Sequence, residues 1–210
     1  MSLAYSTAET MHPDIGEASG RASEDPTAAR SRLGLADLPT IVAIGPFDDL
    51  THAHHLAAAF AILQRTCRAQ LVLLGTGHHR TAALRAVPRG AATRVHLVDA
   101  SPEPLWSHII DAADLVVLSA TSGPRTLLDV LAAGRAVVAP MDPTTVRLVV
   151  PSSAGLVYRP DDVSALASAI RRLITTPPLR QGMAFRAREV VRRYQLDRER
   201  CPEALERKPT

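Results

Sequence analysis

Aromatic residues, cysteine and lysine are scarce in this sequence of 210 residues. Aromatic side chains amount to only 3%, so the core must be built from Ala, Val, Leu and Ile, and there are too few rings to stack on a series of nucleic-acid bases. The two cysteines, Cys67 and Cys201, have no metal-ligand spacing, so neither a disulfide framework nor a zinc site is expected. Lys208 is the single lysine among 24 basic residues, a bias more typical of codon usage than of phosphate binding. We therefore predict no nucleic-acid partner, despite a net charge of +3.

Long apolar runs are also absent. A membrane-spanning helix needs about 18 consecutive apolar residues, and every apolar run here is shorter. The amino terminus has no apolar segment behind a basic start, which a secretory signal would show. The sequence therefore predicts a cytoplasmic protein without a transmembrane segment.

Hydrophobic residues make up 46% of the sequence, enough for a sizeable core in one domain. From Thr40 onward, short continuous apolar runs alternate with helix-length amphipathic segments. This alternation is typical of a parallel sheet covered on both faces. The predicted fold class is α/β, with a doubly wound, mostly parallel six-stranded sheet. The predicted strands are 41–45, 71–75, 94–98, 115–118, 136–139 and 155–158.

The two ends of the chain lack this pattern. Residues 1–31 are rich in Ser, Ala, Thr, Glu and Asp, so we predict that they form a disordered amino-terminal extension. A folded domain is predicted over residues 32–194, ending in a helix. Residues 195–210 are predicted to be a polar tail.

The most informative stretch is 114–140, which predicts a strand, a loop, a helix and a second strand. The loop contains Gly123 and Pro124, and the helical segment closes at Gly134. In such a unit the loop lies at the carboxyl end of a strand and the amino end of a helix, where N–H groups and the helix dipole favour anions. We predict the functional site here.

Within this stretch, Asp129-Val-Leu-Ala-Ala-Gly-Arg-Ala-Val-Val-Ala-Pro140 resembles Glu-Ala-Met-Ala-x-Gly-x-Pro-Val-Val-Ala of group 1 retaining glycosyltransferases. Arg32-Leu-Gly-Leu-Ala-Asp-Leu-Pro39 resembles the segment that leads into their second domain. The resemblance runs from Arg32 to Tyr194 and implies a Rossmann-like half of the GT-B fold, the carboxy-terminal, donor-binding half. It implies that Asp129 binds the ribose of a nucleotide-sugar donor. No cofactor besides that donor substrate is implied.

Several family positions carry other residues. The first Glu of the family's Glu-x7-Glu motif is replaced by Thr121, and the Gly-Phe-Gly after it by Ser122-Gly123-Pro124. The family's Arg and Lys, which neutralise the donor diphosphate, are replaced by Pro46 and Thr51. The resemblance is therefore stronger for the scaffold than for the chemistry, and no catalytic residue is assigned.

The candidate donor-binding residues lie in three predicted strand-to-helix loops and on the following helix. Glycines in the first two loops would permit close backbone approach. The central loop would offer hydroxyl and N–H groups, and Arg125 could donate a fork of hydrogen bonds to a phosphate. The candidates are Gly45, Gly75, Gly77, Thr121, Ser122, Gly123, Arg125, Thr126 and Asp129.

These candidates also have structural interpretations. Ser122 could cap the helix, with Pro124 in its first turn and Arg125 solvated. Asp129 could be a surface charge, and Gly75-Thr-Gly77 could simply end a strand. Five histidines follow the first two strands, but their spacing matches no closed metal site, so we predict no metal: His52, His54, His55, His78 and His79.

Two functional hypotheses of different classes follow. The first is a glycosyltransferase half that binds a nucleotide-diphosphate sugar and transfers a hexose with retention. Its acceptor side would come from a separate chain resembling the amino-terminal half of a GT-B enzyme, or from a homodimer mate. The second is a non-catalytic, degenerate binding or interaction module, which is favoured by the loss of both basic positions and of the first Glu.

Overall fold

Six short apolar segments form one parallel sheet in the computed structural model, which describes residues 25–99, 105–119 and 121–200. The sheet order is β3-β2-β1-β4-β5-β6. All six predicted strands are confirmed, and their ends differ from the prediction by no more than one residue. The strands are β1 Thr40–Ile44, β2 Gln70–Leu74, β3 Val95–Val98, β4 Leu115–Leu118, β5 Ala136–Pro140 and β6 Gly155–Tyr158.

Helices cover both faces of the sheet. In the described ranges they are α1 Pro26–Arg32, α2 Leu50–Leu63, α3 Arg80–Ala86, α4 Arg89–Ala92, α5 Leu105–Ala112, α6 Pro124–Ala132, α7 Pro143–Val149, α8 Val163–Thr175 and α9 Pro177–Arg200. The doubly wound α/β fold class is therefore confirmed. None of these helices, as far as the chain is described, is long and apolar enough to cross a bilayer.

The strands read as continuous apolar runs because each face of the sheet has its own core. In β1, Ile41 and Ala43 point into the core beneath α2 and α8. Val42 and Ile44 point into the core beneath α5, α6 and α9. The two central strands, β1 and β4, therefore lie between the helical layers, and the loops that follow them are held in place from both sides.

The folded part of the chain includes a helix that begins before the predicted boundary at residue 32. α1 packs on α5, Ala29 is fully buried and Asp25 caps the helix by accepting from the N–H of Ala28 at 3.2 Å. The buried Arg30 donates to the carbonyl of Ala112 at 3.3 Å. Residues 25–31 thus belong to the folded domain, because a buried arginine and a cap supply contacts that low hydropathy does not reveal. The rest of the predicted extension, 1–24, lies outside the described residues.

The carboxy-terminal boundary also moves. α9 continues through residues 195–200, which were predicted to be part of the polar tail. This segment has no Gly or Pro, and its Gln, Leu, Arg and Glu residues are good helix formers. Residues 201–210 of the predicted tail lie outside the described ranges.

Candidate functional site

The candidate site lies at the carboxyl edge of the sheet, beside β1 and β4. These strands are neighbours, and the chain leaves β1 toward β2 on one side and β4 toward β5 on the other. Ligands of open α/β sheets bind in the crevice outside such a reversal of strand order. The loops 45–49 and 119–123 flank that crevice.

The first two loops are packed tightly against each other. Phe47 is fully buried, its N–H donates to the carbonyl of Thr76 at 2.9 Å, and its carbonyl accepts from the N–H of His79 at 3.0 Å. A Cβ on Gly77, where φ is +133°, would lie 2.5 Å from the carbonyl carbon of Phe47. A Cβ on Gly75, also at φ +133°, would lie 3.2 Å from the nitrogen of Gly45. The three candidate glycines are thus brought together, and their visible role is close contact between loops; donor contact stays a prediction.

The central loop is held by a cluster of hydroxyl groups. The Oγ of Ser119 lies 3.0 Å from both the Oγ1 of Thr121 and the Oγ of Ser122. The N–H of Ser119 donates to the Oγ of Ser122 at 3.1 Å. The capping interpretation of Ser122 is therefore wrong, because the N-cap of α6 is Gly123. Ser119 was not among the candidates, although its position directly after an apolar strand is a signal that sequence could have given.

The start of α6 differs from four other helix starts in the described chain, whereas the short helices α3 and α4 also lack a side-chain cap bond. Four helices have an Asp at the N-cap whose carboxylate accepts from a backbone N–H: Asp25 for α1, Asp49 for α2, Asp142 for α7 and Asp162 for α8. α6 has Gly123 at the N-cap, without a side-chain cap bond, followed by Pro124. No carboxylate from the N-cap therefore offsets the partial positive charge of this helix end. The exposed Arg125 follows at once, and Thr126 is buried.

A small cavity of about 150 Å³ lies between the starts of α6 and α7. Its polar lining includes Ser119, Ser122 and Gly123 from one loop and Asp142, Thr144 and Thr145 from the next. Asp142 accepts from the N–H groups of Thr144 at 2.9 Å and Thr145 at 3.1 Å. The cavity is smaller than the roughly 300 Å³ at which sites begin to enclose small ligands. It could hold a phosphate-sized group, but not a nucleotide.

Asp129 is fully buried on α6, so its interpretation as a surface charge is wrong. It does not line the cavity between α6 and α7. All residues from Thr126 to Ala132 are buried, since α6 is covered by the sheet, α7 and α9. A donor ribose could therefore reach the Asp129 carboxylate only after neighbouring side chains moved.

The first loop carries two acidic residues, and the negative charge of one of them is offset by a helix end. Asp48 and Asp49 are both exposed. The carboxylate of Asp49 accepts from the N–H of Thr51 at 2.8 Å and thereby caps α2, whose positive end offsets its charge. Arg80, which sequence analysis did not select, donates to the carbonyl of Gly75 at 2.8 Å and pairs with Asp99 at 2.5 Å. Arg80, which follows the second loop, is thus engaged with the protein itself.

The histidines at this edge of the sheet are spread over the second loop and the start of α2. Within the described ranges, no three His, Cys, Asp or Glu side chains are grouped to hold a metal ion. Burial lowers the pKa of His52, Asp49 opposes that shift and His55 adds to it. The Nδ1 of His55 lies 3.3 Å from the carbonyl oxygen of Pro160, which links α2 to the loop after β6. His54 and His78 are exposed.

The doubly wound parallel sheet, with its polar loops gathered at the carboxyl edge, defines a Rossmann-like α/β domain. Residues 38–176 match the profile of the family described as glycosyl transferases group 1, and the chain belongs to that family. Comparison with curated protein sequences gives no match.

Three solved structures share the fold. HepE from Anabaena, solved in complex with UDP, is 19% identical with a TM-score of 0.74, over 90% of this chain and 54% of HepE. WaaG, a glycosyltransferase involved in lipopolysaccharide biosynthesis, is 20% identical with a TM-score of 0.69, over 93% and 55%. Sucrose-phosphate synthase from Thermosynechococcus elongatus is 23% identical with a TM-score of 0.65, over 87% and 52%. The chain therefore spans about half the length of these structures, and the likeness establishes the fold.

Proposed function

We propose that this chain is the donor-binding half of a group 1 glycosyltransferase, which binds a nucleoside-diphosphate sugar and transfers its hexose to an acceptor with retention. The proposal rests on the structure at the start of α6, together with the family to which the chain belongs. This helix start lies at the reversal of strand order and has no acidic N-cap, and Arg125 is exposed beside it. This arrangement supports an anionic ligand.

The diphosphate would bind at the start of α6. When the bond between the anomeric carbon and the phosphate oxygen breaks, the diphosphate leaves with the electron pair and negative charge develops on it. Backbone N–H groups of the first turn and the guanidinium of Arg125 would stabilise that charge. The hydroxyls of Thr121 and Ser122 each lie 3.0 Å from that of Ser119, and all three could donate to phosphate oxygens after changing partners.

The acceptor side would come from outside this chain. The chain spans about half of its structural neighbours, and its cavity at the carboxyl edge is too small to enclose a nucleotide sugar. A separate chain resembling the amino-terminal half of a GT-B enzyme, or a second copy of this chain, would close the site. The cytoplasmic location stays a prediction.

A second candidate function is a non-catalytic binding module. The full burial of Asp129 favours it, since the family position expected to hold the ribose is not accessible. The exposed Asp48 and Asp49 favour it as well, because they repel a diphosphate where the family carries positive charge.

Isothermal titration calorimetry tests the proposal. The diphosphates of uridine, guanosine and adenosine and their glucose conjugates are titrated into the full chain. We expect one of them to bind saturably, and Arg125→Ala to weaken binding by about tenfold or more, the effect of losing a charge-assisted hydrogen bond. The matched control is Arg147→Ala on α7, which removes an exposed arginine near the far end of the neighbouring helix and should leave the affinity unchanged.

The outcomes separate the two functions. No binding of any nucleotide up to about 10 mM, a concentration at which even weak sites of order 1 mM fill, overturns the donor-binding proposal. Equal losses of affinity in Arg125→Ala and Arg147→Ala would show that the nucleotide binds by nonspecific electrostatic attraction. Saturable binding without transfer, once the complementary half is supplied, assigns the chain to the non-catalytic class.

A further inference from the structure

Acidic residues are missing from two long segments that pack together. Residues 50–98 contain six arginines and no Asp or Glu, and residues 163–188 contain five arginines and no Asp or Glu. The first segment forms α2, α3 and α4, and the second forms α8 and the beginning of α9. α2 packs against both α3 and α8. The helical segments of this layer therefore carry arginines and no carboxylates beyond their N-caps, Asp49 for α2 and Asp162 for α8.

The topology concentrates these arginines away from the candidate donor site. A helix that follows a strand of a parallel sheet runs back, so its carboxyl end lies toward the amino edge of the sheet. The exposed arginines lie at the ends of α2 and α3, on α4 and in the second half of α8: Arg65, Arg68, Arg85, Arg89, Arg171 and Arg172. The basic surface is thus distinct from the carboxyl edge, where Asp48, Asp49 and Asp99 lie.

A groove of about 380 Å³ lies within this surface, between the end of α2 and α8. It is within the size range of small-molecule sites and larger than the cavity beside α6. Leu63 and Ala167 are buried in the core and form its apolar floor, and Ile62, 42% exposed, forms part of a wall. The polar lining consists of Arg65, Thr66, Ser164, Ser168 and Arg171.

Arg65 and Arg171 come from opposite sides of the groove. Among the described residues, neither guanidinium has a carboxylate within ion-pair distance. Other arginines in the same layer are engaged: Arg94 donates to the Oε1 of Gln64 at 2.6 Å, and Arg180 pairs with Asp114 at 2.9 Å. The groove therefore combines two guanidinium groups that have no acidic partner with an apolar floor.

We propose that this groove binds a phosphate ester that carries an apolar chain, with the phosphate between Arg65 and Arg171 and the chain packed against the exposed Ile62, above Leu63 and Ala167. A guanidinium donates paired hydrogen bonds to phosphate oxygens, and the hydroxyls of Ser164 and Ser168 supply neutral donors. The carboxyl end of α2 brings about half a negative charge, which two full positive charges outweigh. This site is independent of the nucleotide-sugar site.

The test uses hexyl phosphate as the probe, titrated into the full chain and followed by ¹H–¹⁵N NMR. We expect saturable shifts at the amides of Ser164 and Ser168, with affinity at least about tenfold higher than for inorganic phosphate, because the apolar chain adds burial. Arg65→Gln and Arg171→Gln should each weaken binding by about tenfold. The matched controls, Arg68→Gln and Arg172→Gln, remove exposed neighbours that do not line the groove and should stay within about twofold.

A second variant tests the groove itself. Ser168→Phe fills the space from an exposed position, so it should abolish hexyl phosphate binding while leaving the unfolding midpoint in urea unchanged. Each of these results overturns the proposal: no saturable binding of hexyl phosphate, equal losses of affinity in the groove variants and their controls, or shifts confined to Gly123–Thr126. Binding to phosphatidylglycerol vesicles without binding to hexyl phosphate also overturns it, since a diffuse basic surface would then suffice.

Discussion

The two edges of the sheet differ in how their polar groups are arranged. At the amino edge, the carboxylate of Asp114 accepts from the N–H of Thr40 at 2.8 Å and from Arg30 at 3.3 Å, and it pairs with Arg180 at 2.9 Å. At the carboxyl edge, glycines contact the backbone of Phe47 and neutral hydroxyls contact one another. Charge is buried and paired at the amino edge, whereas at the carboxyl edge the acidic residues Asp48, Asp49 and Asp99 are exposed and the start of α6 has no side-chain cap.

This difference indicates how the domain divides stability from binding. Asp114 precedes β4 and contacts α1, β1 and α9, so one carboxylate holds the first described helix and the beginning of the last one on the sheet. A ligand edge cannot be fixed in the same way, because a carboxylate at the start of α6 would occupy the position that an anion needs. We therefore expect substitutions at the amino edge to act on folding and those at the start of α6 to act on binding.

The largest expected effect comes from Asp114→Ala. The side chain of Arg30 is 9% exposed and would keep only Asp37, whose side chain is 74% exposed, as an acidic partner, and Arg180 would lose its pair with Asp114. Removing one partner of a buried ion pair costs about 3–5 kcal/mol. The free energy of unfolding, measured by urea titration at neutral pH, should fall by that amount.

The control for Asp114 is at the opposite edge. Asp99→Ala removes the ion pair with Arg80, but the side chain of Asp99 is 77% exposed, so the loss should stay below about 1 kcal/mol. If the two variants lose equal stability, the proposed contrast between the edges is wrong.

A smaller effect is expected from Gly77→Ala. Its φ of +133° disfavours any side chain, and the new Cβ would lie 2.5 Å from backbone of Phe47, which cannot move without disturbing the buried ring. We expect a loss of about 1–3 kcal/mol, measured by urea unfolding.

Gly90→Ala is the matched control for Gly77. Nothing lies within 4 Å of a Cβ at this position of α4. Alanine is the better helix former, so stability should rise by about 0.5–1 kcal/mol. A loss of stability at both positions would mean that the contact with Phe47 is not the cause.

The sequence predicts the strands and helix starts at these two edges better than the side-chain contacts made there. Strands and most helix starts are encoded locally: apolar runs gave all six strands, and Asp142-Pro143 has the signature of an N-cap followed by a first-turn proline. The pairing of Arg30 with Asp114 joins residues 84 positions apart, and no local pattern reveals it. Helix periodicity likewise predicts a solvent-exposed position for Arg180. In the structure its guanidinium instead pairs with Asp114.

The candidate site shows the same division. Gly123 at the uncapped start of α6 could be found from sequence, because a small polar loop after a strand is a local signal. The burial of Asp129 could not, since it depends on α7 and α9 closing over a helix that then has no exposed face after its first turn. The hydroxyl contacts of Ser119 depend on the path of the loop, which residue types alone do not fix.

The smallest expected effect is a pH dependence located at the carboxyl edge. The pKa of His52 is lowered in the folded chain, chiefly by burial, so the unfolded chain binds a proton more readily below the ordinary value of 6.5. Stability should therefore fall as the pH decreases below that value, because protonation favours the unfolded state. His52→Asn should flatten this decline in urea-unfolding free energies measured between pH 7.5 and 5.5, whereas the exposed His54→Asn should not. Equal slopes in the two variants would assign the decline to another group, of which His96, whose pKa is also lowered by burial, is the next to replace.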